Sequence, residues 1–477
     1  MQSIGAGSAR PCNCLFMAKD PLPGVFDWSI SEPSKLFYQS GARRPMFDRA
    51  LGVHVWTADG ARYIDASSGA MVSNIGHSNP RVLASMQAQM ARGTFAYRLH
   101  FESEPAERLA TAIGRLSPPG LTRVFFASGG SEAVESAIKL ARQYALARGE
   151  ASRTQIISRY PAYHGSTLGT LAVTGYDPLT RPFAPIYRDM PKIPAPRAYL
   201  DRDNLTDDEK GLKYAEALRE KIEEIGPDRA LAFIMEPVGG ASTGALVAPD
   251  SYYQRIRDIC DEYGLLLIYD EVMTGVGRTG KFLAAEHWNQ SPDIIVLGKG
   301  LGAGYAPLSA IVSRSDIVEA VLEDGGFMHG YTYAGNPLAC SAGLAVLKEI
   351  LGGDLISNAA LMGDRLKSQL TGLMDRFPFI GDVRGKGLLL AFELVRDKLT
   401  MEPLPKEMNA FHRLVEIAYA KKLVIYARRT RGGDSGDHFL VCPPMIVTND
   451  DIGEIMEKLT ASLAQFARET GLPDGEG

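Results

Sequence analysis

The feature that most constrains the fold is a series of short apolar runs that alternate with longer amphipathic segments. From Arg123 onward these runs carry hydrophobic residues at nearly every position instead of at every second one. In order they read RVFFA, TQIIS, LAFIMEP, LLLIYD, DIIVLG and LSAIVS. Strands that are apolar on both faces belong to parallel sheets covered by helices on both sides. The pattern therefore predicts an α/β fold with a mostly parallel sheet.

The alternation changes character after about residue 335. A long helix is predicted after Pro337, and the strand-like runs GLLLAFEL and HFLVCPP lie between further helical segments at 357–377, 406–421 and 449–470. This order predicts a second, smaller α+β domain. Nearer the N-terminus, the ADG between two strand-like runs predicts a hairpin between Val53 and His77. The Pro-, Arg- and Asp-rich stretch 178–208 predicts a surface excursion with little regular structure before Gly211.

Composition excludes several classes of protein. The chain has 477 residues, of which 45% are hydrophobic and 22% charged, and a net charge of −5. These values are typical of a globular protein and give no electrostatic footprint for nucleic acid or an anionic membrane. No apolar run approaches the length of a membrane span, and the N-terminal segment lacks the pattern of a secretory signal. We therefore expect a cytoplasmic protein that acts on small molecules, with Met17 as a candidate natural start and residues 1–16 as an upstream extension.

The cysteines and histidines predict no structural metal. The five cysteines are scattered and odd in number, which suits free thiols in a reducing compartment. They are Cys12, Cys14, Cys260, Cys340 and Cys442. The eight histidines form no HExxH motif and no spacing with the cysteines that is typical of zinc.

Two charged residues end neighbouring apolar runs. LLLIYD ends in Asp270, and DIIVLG is followed directly by Lys299 and the glycine-rich stretch GLGAGYAPLSA. A lysine in a desolvated site has a lowered pKa and attacks carbonyl groups, and a buried carboxylate needs a cationic or donor partner. Pyridoxal phosphate requires both, because its aldehyde condenses with a lysine and a carboxylate keeps its ring nitrogen protonated. Structural ion pairs and solvent-exposed lysines produce the same pattern, so the pair alone leaves both interpretations open.

A candidate phosphate cradle follows the first apolar run. FFASGGSEAVESAIKLARQYALAR predicts a strand, a turn at 128–131 and an amphipathic helix. Glycines expose backbone N–H groups, Ser131 adds a hydroxyl, and the helix N-terminus adds the positive end of its dipole. The same residues also describe an ordinary capped helix with Glu132 and Glu135 in its first turn. The two interpretations are equally supported by this segment alone.

The ordered set of motifs resembles the class III aminotransferases, which are fold-type I pyridoxal-phosphate enzymes. The resemblance extends from about Val53 to Val447. Within this family, the chain is similar to the omega-amine:pyruvate aminotransferases. The matching pieces are ADGARYIDASSGAMVSNIGHSNP, SGGSEAVESAIKLAR, AYHGSTLGT, MEPVGG, YDEVMTGVGRTG, VLGKGLGAGYAPLSA, YTYAGNPLA and GDHFLVCPP. It implies a large domain at 76–334 with a mostly parallel seven-stranded sheet. It also implies a small α+β domain built from both chain ends, 1–75 and 335–477.

The resemblance implies roles around the cofactor ring. Lys299 matches the lysine that binds the cofactor aldehyde covalently and later moves the proton between substrate and cofactor. Asp270 matches the partner of the ring nitrogen. Val272 matches the residue on one ring face, and Tyr163 matches the aromatic stacked on the other.

The remaining implied contacts surround the phosphate and the substrate. Gly130 and Ser131 match the phosphate cradle, although the family commonly has Asn-Ser-Gly-Ser where this chain has Ser128-Gly129-Gly130-Ser131. Thr332 matches a threonine that reaches the phosphate from the neighbouring subunit. This implies a homodimer with shared active sites, which could pair further into a tetramer. Glu236 matches a glutamate beside the cofactor.

Substrate binding rests on weaker signals. Arg428, Arg429 and Arg431 precede a strand-like run, and related amine:pyruvate aminotransferases carry an arginine in this region. A mobile arginine grips a carboxylate in bidentate fashion. We expect Arg428 or Arg429 to bind the substrate, with a solvated basic loop as the equal alternative. Met71 falls where some relatives place an aromatic in the substrate pocket, and a core position is equally consistent with its type.

The sequence thus predicts a ping-pong aminotransferase. An amine donor, expected to be a terminal or non-α amine, would pass its amino group to a keto acid such as pyruvate. An aminomutase or a dialkylglycine decarboxylase of the same fold is an alternative. From other classes of protein, we consider a catalytically inactive scaffold and a P-loop nucleotide-binding protein. The P-loop frame is GVGRTGK at 275–281, but Phe282 stands where the magnesium-binding hydroxyl belongs.

Overall fold

The computed structural model describes residues 34–39 and 43–475. Contacts divide the chain into two units, Met1–Pro45 and Met46–Gly477. The described residues of the first unit contain no helix or strand. Cys12, Cys14 and the candidate start at Met17 lie outside the described residues. All further structure belongs to the second unit.

Sixteen strands lie in the described part of the chain. They are β1 Phe47–Leu51, β2 His54–Thr57, β3 Arg62–Asp65, β4 Leu121–Ala127, β5 Gln155–Tyr160, β6 Lys192–Pro194, β7 Ala230–Met235, β8 Leu266–Asp270, β9 Ile294–Leu297, β10 Ser309–Arg314, β11 Ile380–Lys386, β12 Leu389–Asp397, β13 Glu402–Pro403, β14 Leu423–Val424, β15 Tyr426–Arg431 and β16 Ser435–Val441.

The described residues also form thirteen α-helices and five short 3₁₀ helices. The α-helices are α1 Ser68–Met71, α2 Pro80–Arg92, α3 Glu104–Leu116, α4 Gly130–Ala147, α5 Leu168–Val173, α6 Asp177–Thr180, α7 Asp207–Ile225, α8 Asp250–Tyr263, α9 Ser315–Glu323, α10 Pro337–Gly352, α11 Leu355–Arg376, α12 Ala410–Ala420 and α13 Asn449–Thr470. The 3₁₀ helices are Arg181–Ile186, Ala198–Leu200, Ala284–Trp288, Lys299–Leu301 and Lys406–Met408.

The central sheet has seven strands in the order β4-β10-β9-β8-β7-β5-β6. The pairs from β9 through β6 are all parallel, and β10 runs antiparallel to both β9 and β4. Every residue of β7, β8 and β9 is buried. This explains why these strands read as continuous apolar runs. The predicted α/β fold with a mostly parallel seven-stranded sheet is confirmed.

Two smaller sheets use the ends of the chain. β1, β2 and β3 form an antiparallel meander, and β14 pairs parallel with β3, so residues 423–424 extend an N-terminal sheet. The predicted hairpin is confirmed by the β2–β3 pairing. The second sheet has the order β11-β12-β16-β15, with β13 paired to β12. The division into domains at 76–334 and 335–477 stays a prediction.

The prediction for the excursion at 178–208 was wrong at its end. Helix α7 begins at Asp207, before Gly211, because Thr206 and Glu209 form a capping box: the Thr206 hydroxyl accepts from the Glu209 N–H, and the Glu209 carboxylate accepts from the Thr206 N–H. Within the excursion, β6 adds the edge strand of the central sheet. Among the described residues, no helix combines the length and the apolar character that crossing a membrane requires.

Candidate active site

A cavity of about 160 Å³ lies beyond the ends of the central strands. Seven of the residues predicted from the sequence line it: Gly130, Ser131, Tyr163, Glu236, Asp270, Val272 and Lys299. His164, Gly165, Val238 and Met273 complete the lining. In open α/β sheets, ligands bind outside the carboxyl ends of the strands, and this cavity has that position.

The sheet brings Asp270 and Lys299 together. Strands β8 and β9 are parallel neighbours, and Asp270 is opposite Val296 in their register. Asp270 is the last residue of β8, and Lys299 follows the end of β9 by two residues. The 29 residues that separate them in sequence therefore cross to the far end of the sheet and return along β9. This adjacency results from the parallel pairing.

The Lys299 backbone is constrained. Its φ angle is +40°, in the left-handed region that costs a non-glycine residue about 1–3 kcal/mol. The Lys299 carbonyl accepts hydrogen bonds from the N–H groups of Gly302 (3.1 Å) and Ala303 (2.8 Å). Burial lowers the pKa of the Lys299 amine to about 8, although the nearby Asp270 and Glu236 carboxylates act in the opposite direction. A substantial neutral fraction near physiological pH suits a nucleophile or a base.

Asp270 has a buried partner that sequence reasoning missed. The carboxylate is 5% exposed, and its Oδ1 accepts from the Val272 N–H at 3.1 Å. Its Oδ2 lies 2.8 Å from Nδ1 of His164, whose Nε2 is buried without a hydrogen-bond partner among the described residues. The signal for His164 was its position directly after Tyr163 in AYHG.

Glu236 contributes a second buried carboxyl group. It is 6% exposed, and it accepts from the Gly240 N–H at 2.9 Å and from the Tyr163 N–H at 3.5 Å. Burial raises its pKa. The Tyr163 hydroxyl lies 2.9 Å from Ser166 Oγ, which holds the aromatic ring at the cavity wall. The Arg159 guanidinium fixes this part of the wall by donating to the Glu236 backbone carbonyl at 2.5 Å.

The N-terminus of α4 provides an anion cradle. The helix begins at Gly130, so the N–H groups of its first turn have no acceptors within the helix. Ser131 Oγ accepts from the Ser166 N–H at 3.0 Å, which ties the cradle to the Tyr163 segment. A Cβ added at Gly130 would lie 3.1 Å from Val272 Cγ1. Gly130 therefore keeps Val272 close to the backbone donors, as a ligand with both a ring and a phosphate requires.

Four predicted residues do not line this cavity. Thr332 is exposed in a turn. Met71 is 2% exposed and belongs to the hydrophobic core. Arg428 and Arg429 lie in β15, which pairs antiparallel with β16. The basic-loop interpretation of these two arginines was wrong, because they belong to a regular strand.

The two arginines differ in their partners. Arg429 Nε lies 3.1 Å from Asp437 Oδ1, and its guanidinium packs over the Phe411 ring. The Arg428 guanidinium packs 5.3 Å from the centre of the Tyr426 ring. Among the described residues, no carboxylate forms an ion pair with Arg428. Of the two candidates, Arg428 is therefore the one whose guanidinium is not already paired with a carboxylate in the described structure.

The GVGRTGK stretch is not a nucleotide-binding loop. It forms a series of turns that lead to the 3₁₀ helix at Ala284–Trp288 instead of a long helix. A Cβ added at Gly280 would lie 2.9 Å from the Ala360 Cβ, so this backbone packs against α11 and is closed to a phosphate. The P-loop alternative is therefore wrong.

A large mixed sheet with a lysine, a carboxylate and a helix N-terminus around one cavity defines a fold-type I transferase. The sequence profile of the family Aminotransferase class-III matches residues 38–463, and the chain belongs to this family. It is an aminotransferase.

Relatives of known sequence and structure agree with this assignment. The chain is 37% identical to the uncharacterized aminotransferase YodT of Bacillus subtilis, over 88% of this chain and 95% of that protein. It is 32% identical to the putrescine–pyruvate aminotransferase of Pseudomonas aeruginosa, over 91% and 93% of the two chains. The structure of an (S)-enantioselective omega-transaminase from Thermomicrobium roseum superposes with a TM-score of 0.84 at 36% identity, over 89% and 93%.

Proposed function

We propose that this aminotransferase uses pyridoxal 5'-phosphate to move an amino group from a terminal or other non-α amine to pyruvate or another small keto acid. The observation that carries the proposal is the meeting of Asp270 and Lys299 in one cavity. The donor and acceptor classes are supported by the similarity to a putrescine–pyruvate aminotransferase and to an omega-transaminase. Both substrates would use the same cavity in turn, which gives ping-pong kinetics.

The residues present fit the cofactor. Lys299 supplies the amine for the aldehyde, and Asp270 supplies the carboxylate for the ring nitrogen. Val272 and Tyr163 supply two walls for the ring, and the first turn of α4 with Ser131 supplies the phosphate cradle. When bound, pyridoxal phosphate supplies an electron sink for the carbon–nitrogen chemistry of the substrate.

In the proposed reaction, Lys299 would transfer a proton and Asp270 would stabilise a positive charge. The Lys299 amine, with its pKa lowered to about 8, takes a proton from the substrate carbon and returns it. The Asp270 carboxylate, held by His164 and the Val272 N–H, keeps a positive charge at the ring nitrogen favourable. The buried Glu236 carboxyl group lines the same cavity, beside the space proposed for the cofactor.

We infer that Arg428 binds the carboxylate of the keto acid. Its guanidinium has no carboxylate partner among the described residues, whereas Arg429 is already paired with Asp437. A guanidinium that packs on an aromatic ring can exchange that contact for a bidentate carboxylate. The burial of Met71 supports the core interpretation of its position over a place in the substrate pocket.

The functional unit we propose is a homodimer, with Thr332 of each subunit directed at the phosphate of its partner's site. The exposed turn that carries Thr332 is available for such a contact. Pairing of two dimers into a tetramer, and residence in the cytoplasm, complete the proposal. Sedimentation analysis of the purified protein with and without pyridoxal phosphate tests the oligomeric state.

The test of the function compares two lysines. The purified protein should be yellow, and borohydride followed by peptide mass spectrometry should show pyridoxal phosphate attached to Lys299. Lys299→Ala should abolish transamination. The matched control is Lys281→Ala, an exposed lysine in the GVGRTGK loop, which should leave transamination intact. A colourless protein without an adduct, or equal losses from both variants, would contradict the proposal.

Three further measurements refine it. Asp270→Asn should lower kcat by a factor of about 10³ or more, since it weakens a preorganised charge interaction worth several kcal/mol. A panel of amines assayed with pyruvate and with 2-oxoglutarate identifies donor and acceptor. Assays with amine or keto acid supplied alone separate a transaminase, which needs both, from an aminomutase or a decarboxylase of the same fold.

A further inference from the structure

The loop that resembles a P-loop contains the most deeply buried charge in the described structure. Arg278 is 0% exposed and is the largest of the fully buried side chains there. Burial lowers its pKa to about 10, so the guanidinium is still a cation at neutral pH. No carboxylate forms an ion pair with it among the described residues. Burying an ionised group without a counter-ion costs several kcal/mol, which neutral acceptors offset only in part.

Neutral oxygens from two distant parts of the chain surround this guanidinium. Nη1 donates to the Pro443 carbonyl at 2.5 Å, just beyond β16. Nη2 donates to Asn74 Oδ1 at 2.7 Å and to Ser68 Oγ at 3.2 Å, both in the segment after β3. Arg278 therefore joins the N-terminal and C-terminal segments to its own loop.

Asn74 connects the hydrogen-bonded Arg278 to the backbone beside Lys299. Its Nδ2 donates to the Val276 carbonyl at 3.1 Å, so both ends of the amide are held by the 275–281 loop. A Cβ added at Gly300 would lie 2.2 Å from Asn74 Nδ2, so the amide packs directly on the backbone of the residue after Lys299. The left-handed backbone at Lys299 needs such external support, because it is unfavourable for a lysine.

We propose that Arg278 is a positioning residue for Lys299: it holds Asn74 against the backbone of Gly300, the residue after the lysine. The inference rests on the proposed function, in which Lys299 captures the cofactor. It extends that function by assigning the GVGRTGK loop, which the reaction otherwise leaves unused.

The charges around Lys299 are consistent with this arrangement. The Asp270 and Glu236 carboxylates raise the pKa of Lys299, and the Cys442 thiol acts in the same direction. Burial has the largest effect and lowers the pKa of Lys299, and the Arg278 cation lowers it further with the smallest effect of these. Asp65 and Cys442 are the groups that act on Arg278 itself. The charge of Arg278 is therefore a minor addition to its positional role.

The test separates charge from position by two readouts on the full chain. The first is the pH midpoint for acetylation of Lys299 in cofactor-free protein, quantified by peptide mass spectrometry. The second is the rate at which Lys299 captures pyridoxal phosphate at saturating pH, trapped with borohydride. The variants are Arg278→Met, Arg278→Lys and Asn74→Ala. The matched control is Arg384→Lys, because Arg384 is also buried but pairs with Glu393 and does not line the cavity.

Asn74→Ala should slow capture about tenfold, the order expected for a misplaced reactive group, and leave the midpoint unchanged. Arg278→Met should slow capture and also raise the midpoint by about half a pH unit, since it removes a cation. Arg278→Lys keeps a positive charge, so the midpoint should stay close to the wild-type value while capture slows. If Arg278→Met does not fold, Arg278→Lys still tests the positional role. Arg384→Lys should change neither readout.

The proposal is overturned if Arg278→Lys and Asn74→Ala capture the cofactor at the wild-type rate, or if Arg384→Lys slows capture as much as they do. A midpoint that rises in folded Arg278→Met while capture stays at the wild-type rate also overturns it, because charge alone would then explain the effect of Arg278. If wild-type Lys299 captures no pyridoxal phosphate, the proposed function itself fails. The acetylation midpoint still tests the action of Arg278 on the lysine in that case.

Discussion

Nδ1 of His164 lies 2.8 Å from Oδ2 of Asp270, and both side chains are buried in the lining of the cavity. The histidine belongs to the segment after β5, and the aspartate ends β8. Their contact therefore crosses β7, which lies between these two strands in the sheet. A carboxylate fixed by a buried donor keeps one orientation, and this orientation decides where a bound ring nitrogen must sit.

This contact predicts a positioning role for His164. His164→Phe removes the donor while filling the space, and it should lower kcat about 10- to 100-fold, the range seen when a partner that orients a functional group is lost. His164→Asn can place an amide donor near the Nδ1 position and should restore most of the rate. The measurement is steady-state kinetics with the visible spectrum of the bound cofactor. Equal activity of the Phe and Asn variants would contradict the role.

The sequence predicted the Asp270–Lys299 pair because parallel strands place their ends together, and the apolar runs marked those ends. His164 was not predicted, since its partner is 106 residues away and only the folded sheet brings them within hydrogen-bond distance. The same reason explains why nothing in the sequence linked Arg278 to Asn74.

The arginine-rich strand β15 is a regular element that the hydrophobic pattern of the sequence did not identify. Its sequence YARRTR has no apolar alternation, and five of its six residues are half-buried. In this strand, arginine side chains and an aromatic ring occupy positions where branched apolar residues usually pack, as in the contact of Arg429 with Phe411. A pattern based on hydrophobic residues therefore left a basic loop as an equal alternative where the structure has a strand.

Gly129 offers a gain-of-affinity prediction. It is the residue before α4, its φ and ψ of −133° and 156° suit any residue, and a Cβ added there would meet nothing within 4 Å. Gly129→Ser adds a hydroxyl beside the proposed phosphate cradle. It should lower the Kd for pyridoxal phosphate about tenfold, since a hydrogen bond to a charged group contributes about 1.5–3 kcal/mol.

Gly129→Ala is the matched control, because it adds the Cβ without the hydroxyl. Affinities are measured by titrating cofactor-free protein with pyridoxal phosphate and following fluorescence quenching. If serine and alanine give the same Kd, the hydroxyl does not reach the phosphate and the cradle is not where we place it.

Arg428 and Arg429 should respond differently to removal. Arg428→Ala should raise the KM for pyruvate about 10- to 100-fold, because a charge-assisted contact to the keto acid is lost. It should leave the melting temperature nearly unchanged. Arg429→Ala should instead lower stability by about 3 kcal/mol, since it leaves Asp437, which is 3% exposed, without its partner. Kinetics and urea unfolding of both variants check this, and a reversed pattern would assign the substrate contact to Arg429.

Lys299 makes the stability of the cofactor-free protein depend on pH. Its pKa is about 8 in the folded protein and 10.5 in the unfolded chain, so between these values the unfolded state binds more protons and stability rises with pH. Lys299→Met removes this group and keeps an unbranched side chain in the cavity wall. The variant should be more stable than wild type at pH 7. Its advantage should shrink by up to about 1.4 kcal/mol per pH unit from pH 8 toward pH 10.5.

Urea unfolding of wild type and variant at pH 7, 9 and 10.5 measures this difference. Titrating groups that do not interact with Lys299, such as the buried Glu271 with its pKa of about 7, are common to both proteins and cancel in the comparison. Lys281→Met is the control, because it makes the same substitution at an exposed lysine that does not line the cavity. A constant difference between wild type and Lys299→Met across this range would mean that the amine titrates as it does in water, and the neutral base at Lys299 would lose its physical basis.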